Sequence, residues 1–399
     1  MHNLTMKEKK LAQGLQDLSD QAGSHSPSIQ TIAEKLPDLN IQIDACFLSN
    51  PHATDLFTRE MRNDLIKTGE LRKFLEFYPS QNQVIGEILA PCLNVSKEKI
   101  FVGNGATEII QAVIHYFTSR KIIINLPTFS PYYEFVGEDI EVIYSQFRQE
   151  NDFAFDFDEY VSLVERERPD TIVLINPNNP TGGYINLRDI ERLVERFHFV
   201  NNIVIDESFL HFAFEDETFP LKTATHLVNE HDNVIIIKSM SKDFGIAGIR
   251  AGYAVMPEDK VAGLLENGYL WNLSGLAEYF FRLYTDEEFL RRYEKVRVRY
   301  IKDTQKFFSE LSELPGIKVY PSKANFILAE LTNGMSAFNF MSQMLIKHGV
   351  YVRDCNDKMG LDGEFVRIAS RTDEENQVIL ESAREVLQSQ EELELTAVS

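Results

Sequence analysis

Short runs of β-branched residues alternate with amphipathic stretches between residues 100 and 255 of this 399-residue chain. The amphipathic stretches are long enough to form helices that cross a sheet and return the chain to its starting edge. This alternation therefore predicts βαβ units and a mainly parallel sheet between helices. The predicted strands are 100–102, 121–125, 140–144, 171–175, 203–205, 234–237 and 251–255, and the predicted helices are 107–117, 156–168 and 187–197.

The pattern changes after Trp271, where a long charged helix is predicted at 287–311. Shorter strands and helices follow this helix. We therefore predict a second, smaller α/β domain in the C-terminal part of the chain. Its predicted strands are 317–320, 325–328, 350–352 and 365–368, and its predicted helices are 338–347 and 373–389.

Composition excludes several classes of partner. With 40 basic and 61 acidic residues, the chain has a formal net charge of −21, which repels nucleic acid and anionic membranes. Its three cysteines and nine histidines do not occur at metal-ligand spacings, so no metal site is predicted. The first residues lack an apolar signal core, and no apolar run is long enough to cross a membrane. We expect a soluble cytoplasmic protein with free thiols.

The segment that follows the predicted strand 234–237 carries two hydroxyls, a lysine and an arginine. They belong to Ser239, Ser241, Lys242 and Arg250. A lysine at a strand end can form a Schiff base with an aldehyde, while hydroxyls and a guanidinium can hold a dianionic phosphate. Pyridoxal 5′-phosphate (PLP) needs both at this distance. The competing interpretation is a surface lysine in an ordinary loop between a strand and a helix.

Three further segments place polar groups at strand ends. Asn179 follows the predicted strand 171–175, Asp206 follows the predicted strand 203–205, and a glycine-rich turn after 100–102 enters a helix. The turn contributes Gly105, Ala106 and Thr107. The carboxyl ends of the strands form the edge where open α/β sheets bind ligands, so we expect these groups to meet there.

All four segments, in this order, resemble the fold-type I PLP enzymes of the aminotransferase class I/II group. Within it the chain is similar to histidinol-phosphate aminotransferases and threonine-phosphate decarboxylases, over about residues 50–387. The resemblance implies an α/β fold with a large domain, whose mainly parallel sheet lies between helices, and a smaller α/β domain. The implied bounds are 1–44 for an N-terminal arm, 45–79 for the N-terminal part of the small domain and the dimer contact, 80–272 for the large PLP-binding domain, and 273–399 for the interdomain helix and the rest of the small domain.

The resemblance also implies roles at the cofactor. Lys242 would form the Schiff base, Asp206 would keep the ring nitrogen protonated, and Asn179 would bond the ring O3′. Tyr132 would stack on the ring, with Phe129 and Tyr133 as rivals. The groups expected at the phosphate are Gly105, Ala106, Thr107, Ser239, Ser241, Arg250 and, from the neighbouring subunit of a homodimer, Tyr78.

Two arginines and an asparagine match the substrate positions of the family. Arg367 would bind the substrate carboxylate, and Asn50 would line the pocket, although His52 stands where the family has a small residue. Arg371 could bind a second anionic group of the substrate, or it could pair with Glu374 or Glu375.

The leading expectation is an aminotransferase that moves an amino group between an amino acid and a 2-oxo acid. The alternative is a decarboxylase of the threonine-phosphate type. Phe209 stands where many aminotransferases have a tyrosine that bonds O3′, and the decarboxylase branch similarly has phenylalanine. A PLP-sensing transcription regulator is disfavoured, because about 40 residues before the fold are too few for a DNA-binding domain.

Overall fold

The computed structural model describes the backbone of residues 4–398 and the side chains of residues 4–390. The chain forms two compact units. The large unit comprises Ser49–Asn179 and Gly183–Ile301, and the small unit comprises residues up to Leu48, Pro180–Gly182 and residues from Lys302 on. The large unit thus includes residues outside the predicted 80–272, and the small unit includes the predicted arm 1–44. The functions predicted for these domains, PLP binding and the dimer contact, stay predictions.

Strands and helices alternate through most of the described chain. The strands are β1 (Ile43–Asp44), β2 (Ile100–Asn104), β3 (Lys121–Leu126), β4 (Glu141–Gln146), β5 (Thr171–Ile175), β6 (Asn202–Asp206), β7 (Val234–Ser239), β8 (Ala251–Val255), β9 (Ile317–Val319), β10 (Phe326–Leu331), β11 (Val350–Tyr351), β12 (Arg353–Asp354) and β13 (Phe365–Ala369). The α-helices are α1 (Met6–Ala22), α2 (Ile29–Lys35), α3 (Pro51–Met61), α4 (Leu71–Glu76), α5 (Asn82–Leu93), α6 (Ala106–Phe117), α7 (Pro131–Glu134), α8 (Phe157–Glu167), α9 (Leu187–Arg196), α10 (Glu258–Glu266), α11 (Gly275–Tyr284), α12 (Glu287–Ser312), α13 (Ala337–His348) and α14 (Asp373–Val398).

The sheet of the large unit has the strand order β2-β8-β7-β6-β5-β3-β4. From β7 to β4 all neighbours are parallel, which confirms the prediction of a mainly parallel sheet. Strand β8 is antiparallel to both β2 and β7, so β2 runs in the same direction as the parallel set. The carboxyl end of β2 therefore lies at the same edge as the ends of β5, β6 and β7.

Apolar side chains cover both faces of this sheet, as expected for a sheet buried between helices. One cluster joins Ile172 and Ile205 to α3, α5 and α11. The other joins Val173 and Val204 to α6 and α10. Alternate residues of each strand thus face opposite cores. Because residues 51–61 and 275–284 pack into the first core, they belong to the large unit.

The small unit has an antiparallel sheet in the order β12-β13-β10-β9 and a separate parallel pair, β1 and β11. Residues Leu15, Leu18 and Ile32 of α1 and α2 are buried in its core with Phe340 and Leu345. The N-terminal segment is therefore part of the small-unit core.

Within residues 4–398, the helices all lack the combination of length and apolar composition that a membrane span requires.

Candidate active site

A cavity of about 480 Å³, part of it open to solvent, lies in the large unit where the parallel strands end. Its lining combines the ends of β5, β6 and β7 with the start of α6, which brings together most of the residues that the sequence singled out. The lining residues are Ala106, Thr107, Ile110, Phe129, Ile175, Asn179, Asp206, Ser208, Phe209, Ser239, Ser241, Lys242 and Arg250.

One end of the cavity is suited to a phosphate. The backbone turns into α6 at Gly105, whose φ of 81° favours glycine, and a Cβ there would collide with the Arg250 guanidinium. Arg250 Nη2 donates to the carbonyl of Asn104 at 3.4 Å, just before the helix, which keeps the guanidinium beside the helix start. The first N–H groups of a helix and a neighbouring guanidinium both attract a dianion. Ser239 and Ser241 add hydroxyl groups at the same cavity.

Two lysines follow one another closely here, and the structure separates their roles. Lys238 is buried, and its ammonium bonds the Asp243 carboxylate and the Glu207 carbonyl, the latter at 2.9 Å. Lys242 lines the cavity. The N–H of Gly245 donates to the Lys242 carbonyl at 3.2 Å, which closes the turn that presents this lysine. Lys242 is therefore the lysine positioned to react with an aldehyde in the cavity.

Asp206 ends β6, is 3% exposed and has a hydrogen bond on each carboxylate oxygen. Oδ1 accepts from the Ser208 N–H at 2.9 Å, and Oδ2 accepts from the Tyr132 hydroxyl at 2.8 Å. Burial raises the pKa of Asp206, and the hydrogen bonds from Ser208 and Tyr132 oppose this shift. Burial, with Asp206 nearby, raises the pKa of Tyr132 well above its usual value, so Tyr132 is the donor in this pair.

The structure favours a different aromatic residue for the stacking role. Tyr132 is fully buried with its hydroxyl on Asp206, whereas Phe129 lies on the cavity wall. The rival that the sequence offered, Phe129, thus lies where it could contact a bound ring, and the stacking residue stays a prediction. The role that Tyr132 does have could not be found from sequence, because it depends on contact with a strand end 74 residues away.

Asn179 and Phe209 line the same cavity, as the match to the family implied. Phe209 is 4% exposed, and its ring carries no hydrogen-bond donor. The position that holds a tyrosine in many aminotransferases therefore presents only an apolar surface here.

Tyr78 is 87% exposed in the single chain. It is not one of the described residues that line the cavity. Its ring centroid is 6.0 Å from that of Trp271. The predicted contact with a neighbouring subunit's cofactor stays a prediction.

The predicted substrate residues divide between the units. Asn50 lies in the large unit, where its Oδ1 accepts from the backbone N–H of His52 and Ala53 and caps α3. Arg367 lies in the small unit on β13, and its Nη2 donates to the Cys46 carbonyl at 2.9 Å. Arg371 Nε lies 3.5 Å from a Glu375 carboxylate oxygen. This ion pair is the alternative to substrate binding that the sequence offered for Arg371.

Sequence reasoning missed two further cations in the small unit. Arg353 lies opposite Arg367 in the β12–β13 pairing, and its Nη2 donates to the Ser24 carbonyl at 3.1 Å. The Lys358 ammonium donates to the same carbonyl at 2.9 Å. The local sequence gave no signal for this group, because Ser24 and these cations are far apart along the chain.

The donor set of the cavity fits PLP. A helix start, two hydroxyls and a guanidinium suit its phosphate, a lysine suits its aldehyde, and a buried carboxylate suits its ring nitrogen. Each of these groups lies in the large unit, so that unit alone supplies the main contacts.

Comparison with known proteins supports the same cofactor. The family model for aminotransferase class I and II matches residues 51–382. The chain is 54% identical over 379 residues to the L-serine phosphate decarboxylase Cj1436c of Campylobacter jejuni, covering 95% of this chain and 97% of that protein. It is 46% identical over 370 residues to the L-serine phosphate decarboxylase of Sulfurospirillum multivorans, covering 93% and 94%.

A solved structure agrees with these relatives. A decarboxylase from Sulfurospirillum multivorans superposes with a TM-score of 0.91 at 45% identity and covers 96% of this chain and 97% of its own. The prediction of an aminotransferase is therefore wrong, because these similar proteins are decarboxylases. The error has a physical origin, since the two reactions use the same cofactor groups and differ in which Cα bond is broken.

Proposed function

The chain belongs to the aminotransferase class I and II family of PLP-dependent enzymes, and we propose that within it the chain decarboxylates a phosphorylated L-amino acid, L-serine phosphate above all. The observation that carries this proposal is the 54% identity to an L-serine phosphate decarboxylase over 95% of the chain. The apolar Phe209 in the cavity agrees with the decarboxylase branch.

The cofactor contacts follow from the lining of the cavity. When bound, PLP supplies a sink for the electron pair released at the amino acid Cα. The carboxylate of Asp206 would pair with the ring nitrogen, and the helix start at Ala106 would hold the phosphate together with Arg250. The amine of Lys242 is the group in the cavity that can carry a proton to or from the reacting carbon.

The proposed reaction breaks the bond between Cα and the substrate carboxylate. Carbon dioxide leaves without the electron pair of the broken bond, which PLP would accept when bound, and this pair finally joins Cα to one proton. Lys242 is the proposed donor of that proton. The products from L-serine phosphate are carbon dioxide and O-phosphoethanolamine.

Two arginines match the family positions for a substrate with a second anionic group, Arg367 and Arg371. Arg353 lies opposite Arg367 on the adjacent strand, but Arg353 and Lys358 are both paired with the Asp357 carboxylate, at 2.8 Å and 3.0 Å. Guanidinium groups recognise carboxylate and phosphate through paired N–H donors. We therefore propose Arg367 for the substrate carboxylate, as the match to the family implies, and Arg371 for the phosphate.

We also propose a homodimer with shared active sites. The exposed apolar side chains Leu75, Phe77, Tyr78 and Trp271 are each at least half exposed in the single chain. Such a group of large apolar side chains is typical of a surface covered by a partner.

A cytoplasmic location is proposed because all three cysteines are free thiols, which fits a reducing compartment.

The function is tested by product analysis. Purified protein saturated with PLP is incubated with L-serine phosphate, L-threonine phosphate or unphosphorylated L-serine, each with and without 2-oxoglutarate. Mass spectrometry is expected to show carbon dioxide and O-phosphoethanolamine from L-serine phosphate, whether or not 2-oxoglutarate is present. No carbon dioxide is expected from L-serine. The Lys242→Ala variant is the control for protein-independent decay. Glutamate formation without carbon dioxide would contradict the proposal.

A further inference from the structure

We propose that Tyr132 is a positioning residue, whose hydroxyl holds the Asp206 carboxylate in the orientation that pairs with the PLP ring nitrogen. The two side chains meet through a 2.8 Å hydrogen bond between Tyr132 Oη and Asp206 Oδ2. The inference depends on the cofactor site and not on the choice of substrate. Its test can therefore fail while the proposed decarboxylation stands.

The carboxylate of Asp206 is held at both oxygens. The Ser208 N–H occupies Oδ1 at 2.9 Å, and the Tyr132 hydroxyl occupies Oδ2. Donors on two different oxygens fix the rotation of the carboxylate about its Cβ–Cγ bond. Each carboxylate oxygen has two acceptor sites, so one site on each remains for the cofactor. Without Tyr132, the carboxylate would be held only through Ser208, by its backbone N–H and its side chain, and Ser208 lies two positions away on the same segment.

Tyr132 is itself immobilised. Its side chain has no exposed surface and packs in the apolar cluster that contains Ile175, Val204 and Ile237. Its backbone N–H donates to the Phe129 carbonyl at 3.2 Å. The segment that carries Phe129 to the cavity wall therefore also fixes Tyr132 behind Asp206.

The electrostatics agree with this geometry. Burial raises the pKa of Asp206, whereas hydrogen bonds from the Ser208 side chain, the Tyr132 hydroxyl and the Ser208 N–H lower it. A buried carboxylate remains ionised only when its charge is hydrogen-bonded. An ionised Asp206 is the form that stabilises a protonated ring nitrogen, so the Tyr132 hydroxyl supports both the charge and its direction.

Tyr132→Phe removes the hydroxyl and keeps the buried ring. The control is Tyr160→Phe, because Tyr160 is also buried in the large unit, and its hydroxyl has no hydrogen-bond partner within the described residues. The dissociation constant of PLP is measured by fluorescence titration of the cofactor-free proteins. Tyr132→Phe is expected to raise it about tenfold, as for loss of one hydrogen bond to a charged group, and Tyr160→Phe less than twofold. Thermal denaturation of both cofactor-free variants detects any general loss of folding.

Two further measurements separate positioning from a structural role. In an Asp206→Asn background, Tyr132→Phe is expected to cause no additional loss of PLP affinity. In the Asp206-containing protein, Tyr132→Phe is expected to weaken binding of PLP but not of its 1-deaza analogue, which lacks the ring nitrogen. An unchanged dissociation constant for PLP, or equal weakening of PLP and the analogue, would overturn the proposal. The analogue comparison applies even if Asp206→Asn binds too little PLP to measure.

Discussion

The backbone N–H of Asn50 donates a hydrogen bond to the carbonyl oxygen of Lys242, with an N–O distance of 3.0 Å. A second link lies next to it, since the Thr54 hydroxyl donates to the Gly245 carbonyl at 2.8 Å. The start of α3 and the turn that presents Lys242 are therefore joined. Asn50, predicted as a substrate residue, has a structural role here that does not depend on any substrate.

Gly245→Ala is expected to disrupt this junction. Gly245 has a φ of 63°, and a Cβ there would meet the Thr54 hydroxyl and the Asn50 carbonyl. Positive φ alone costs an alanine about 1–2 kcal/mol, and the collisions add to it. We expect the free energy of unfolding of the cofactor-free protein, measured in urea, to fall by at least about 2 kcal/mol.

Gly248→Ala is the matched control for that substitution. Gly248 lies three residues further on, in the 3-10 helix Ala247–Ile249, has no positive φ and has open space around its Cβ position. The free energy of unfolding of the Gly248→Ala variant should stay within about 0.5 kcal/mol of the wild-type value. Equal losses in the two variants would show that the junction at Gly245 does not constrain the turn.

Lys242→Ala is expected to remove the covalent link to PLP. Borohydride reduction of the wild-type holoenzyme, followed by peptide mass mapping, should place a pyridoxyl adduct on Lys242. Lys238 is the internal control, because its ammonium is already bound by Asp243 and the Glu207 carbonyl. An adduct that persists in Lys242→Ala would identify another lysine as the reactive one.

Phe209→Tyr is expected to lower the pKa of the nitrogen that joins Lys242 to PLP. The new hydroxyl would add a donor to the ring oxygen that Asn179 is proposed to bind, and the deprotonated nitrogen would then be favoured by about one pKa unit. Spectrophotometric pH titration of both holoenzymes measures the change. A raised or unchanged pKa would mean that residue 209 does not face that oxygen.

Tyr78 is expected to act on the site of the other subunit. Mixing inactive Lys242→Ala with a Tyr78→Ala variant should recover up to about a quarter of wild-type activity, since half of the dimers are mixed and each has one intact site. The control mixture is Lys242→Ala with Asp206→Ala. It should recover nothing, because both of these residues belong to one subunit's cavity. Recovery in the control, or none in the test after verified exchange, would argue against the shared site.

His211 is expected to make the fold sensitive to acid. Burial, with Lys238 and Arg297 nearby, holds the pKa of His211 well below its usual value of 6.5. Below about pH 6.5 the unfolded chain binds a proton that the folded chain refuses, so stability is lost as the pH falls. One proton corresponds to a slope of about 1.4 kcal/mol per pH unit.

The measurement compares urea unfolding of the wild type and His211→Gln between pH 5 and pH 7, roughly the range in which a histidine titrates. The difference in slope reports His211 together with any change in Asp243, because the Asp243 carboxylate lies 3.8 Å from His211 Nδ1 and burial raises the pKa of Asp243 to about 6. His115→Gln, at an exposed position, is the control and should leave the slope unchanged. A slope in His211→Gln equal to that of the wild type would show that His211 does not account for the acid sensitivity.

Much of the fold and the cofactor site could be predicted from local sequence. The alternation of apolar strands with helices predicted the parallel sheet, because side-chain periodicity is a local property of the chain. The ends of β5, β6 and β7 predicted where Asn179, Asp206 and Lys242 would meet, because parallel strands deliver their carboxyl ends to one edge.

The remaining features depend on contacts that only the folded chain makes. The packing of α7 against β6 decides whether Phe129 or Tyr132 faces the cavity. The same packing brings the Tyr132 hydroxyl to Asp206. That Lys238 is held by an ion pair while Lys242 lines the cavity likewise depends on tertiary packing. The sequence by itself determined the seven strands of the large sheet, their order along the chain and the residue types at their ends, whereas the short strands β1 and β12 were not predicted. Tertiary structure decided which of those side chains face one another, because hydrogen bonds and burial join residues that are distant along the chain.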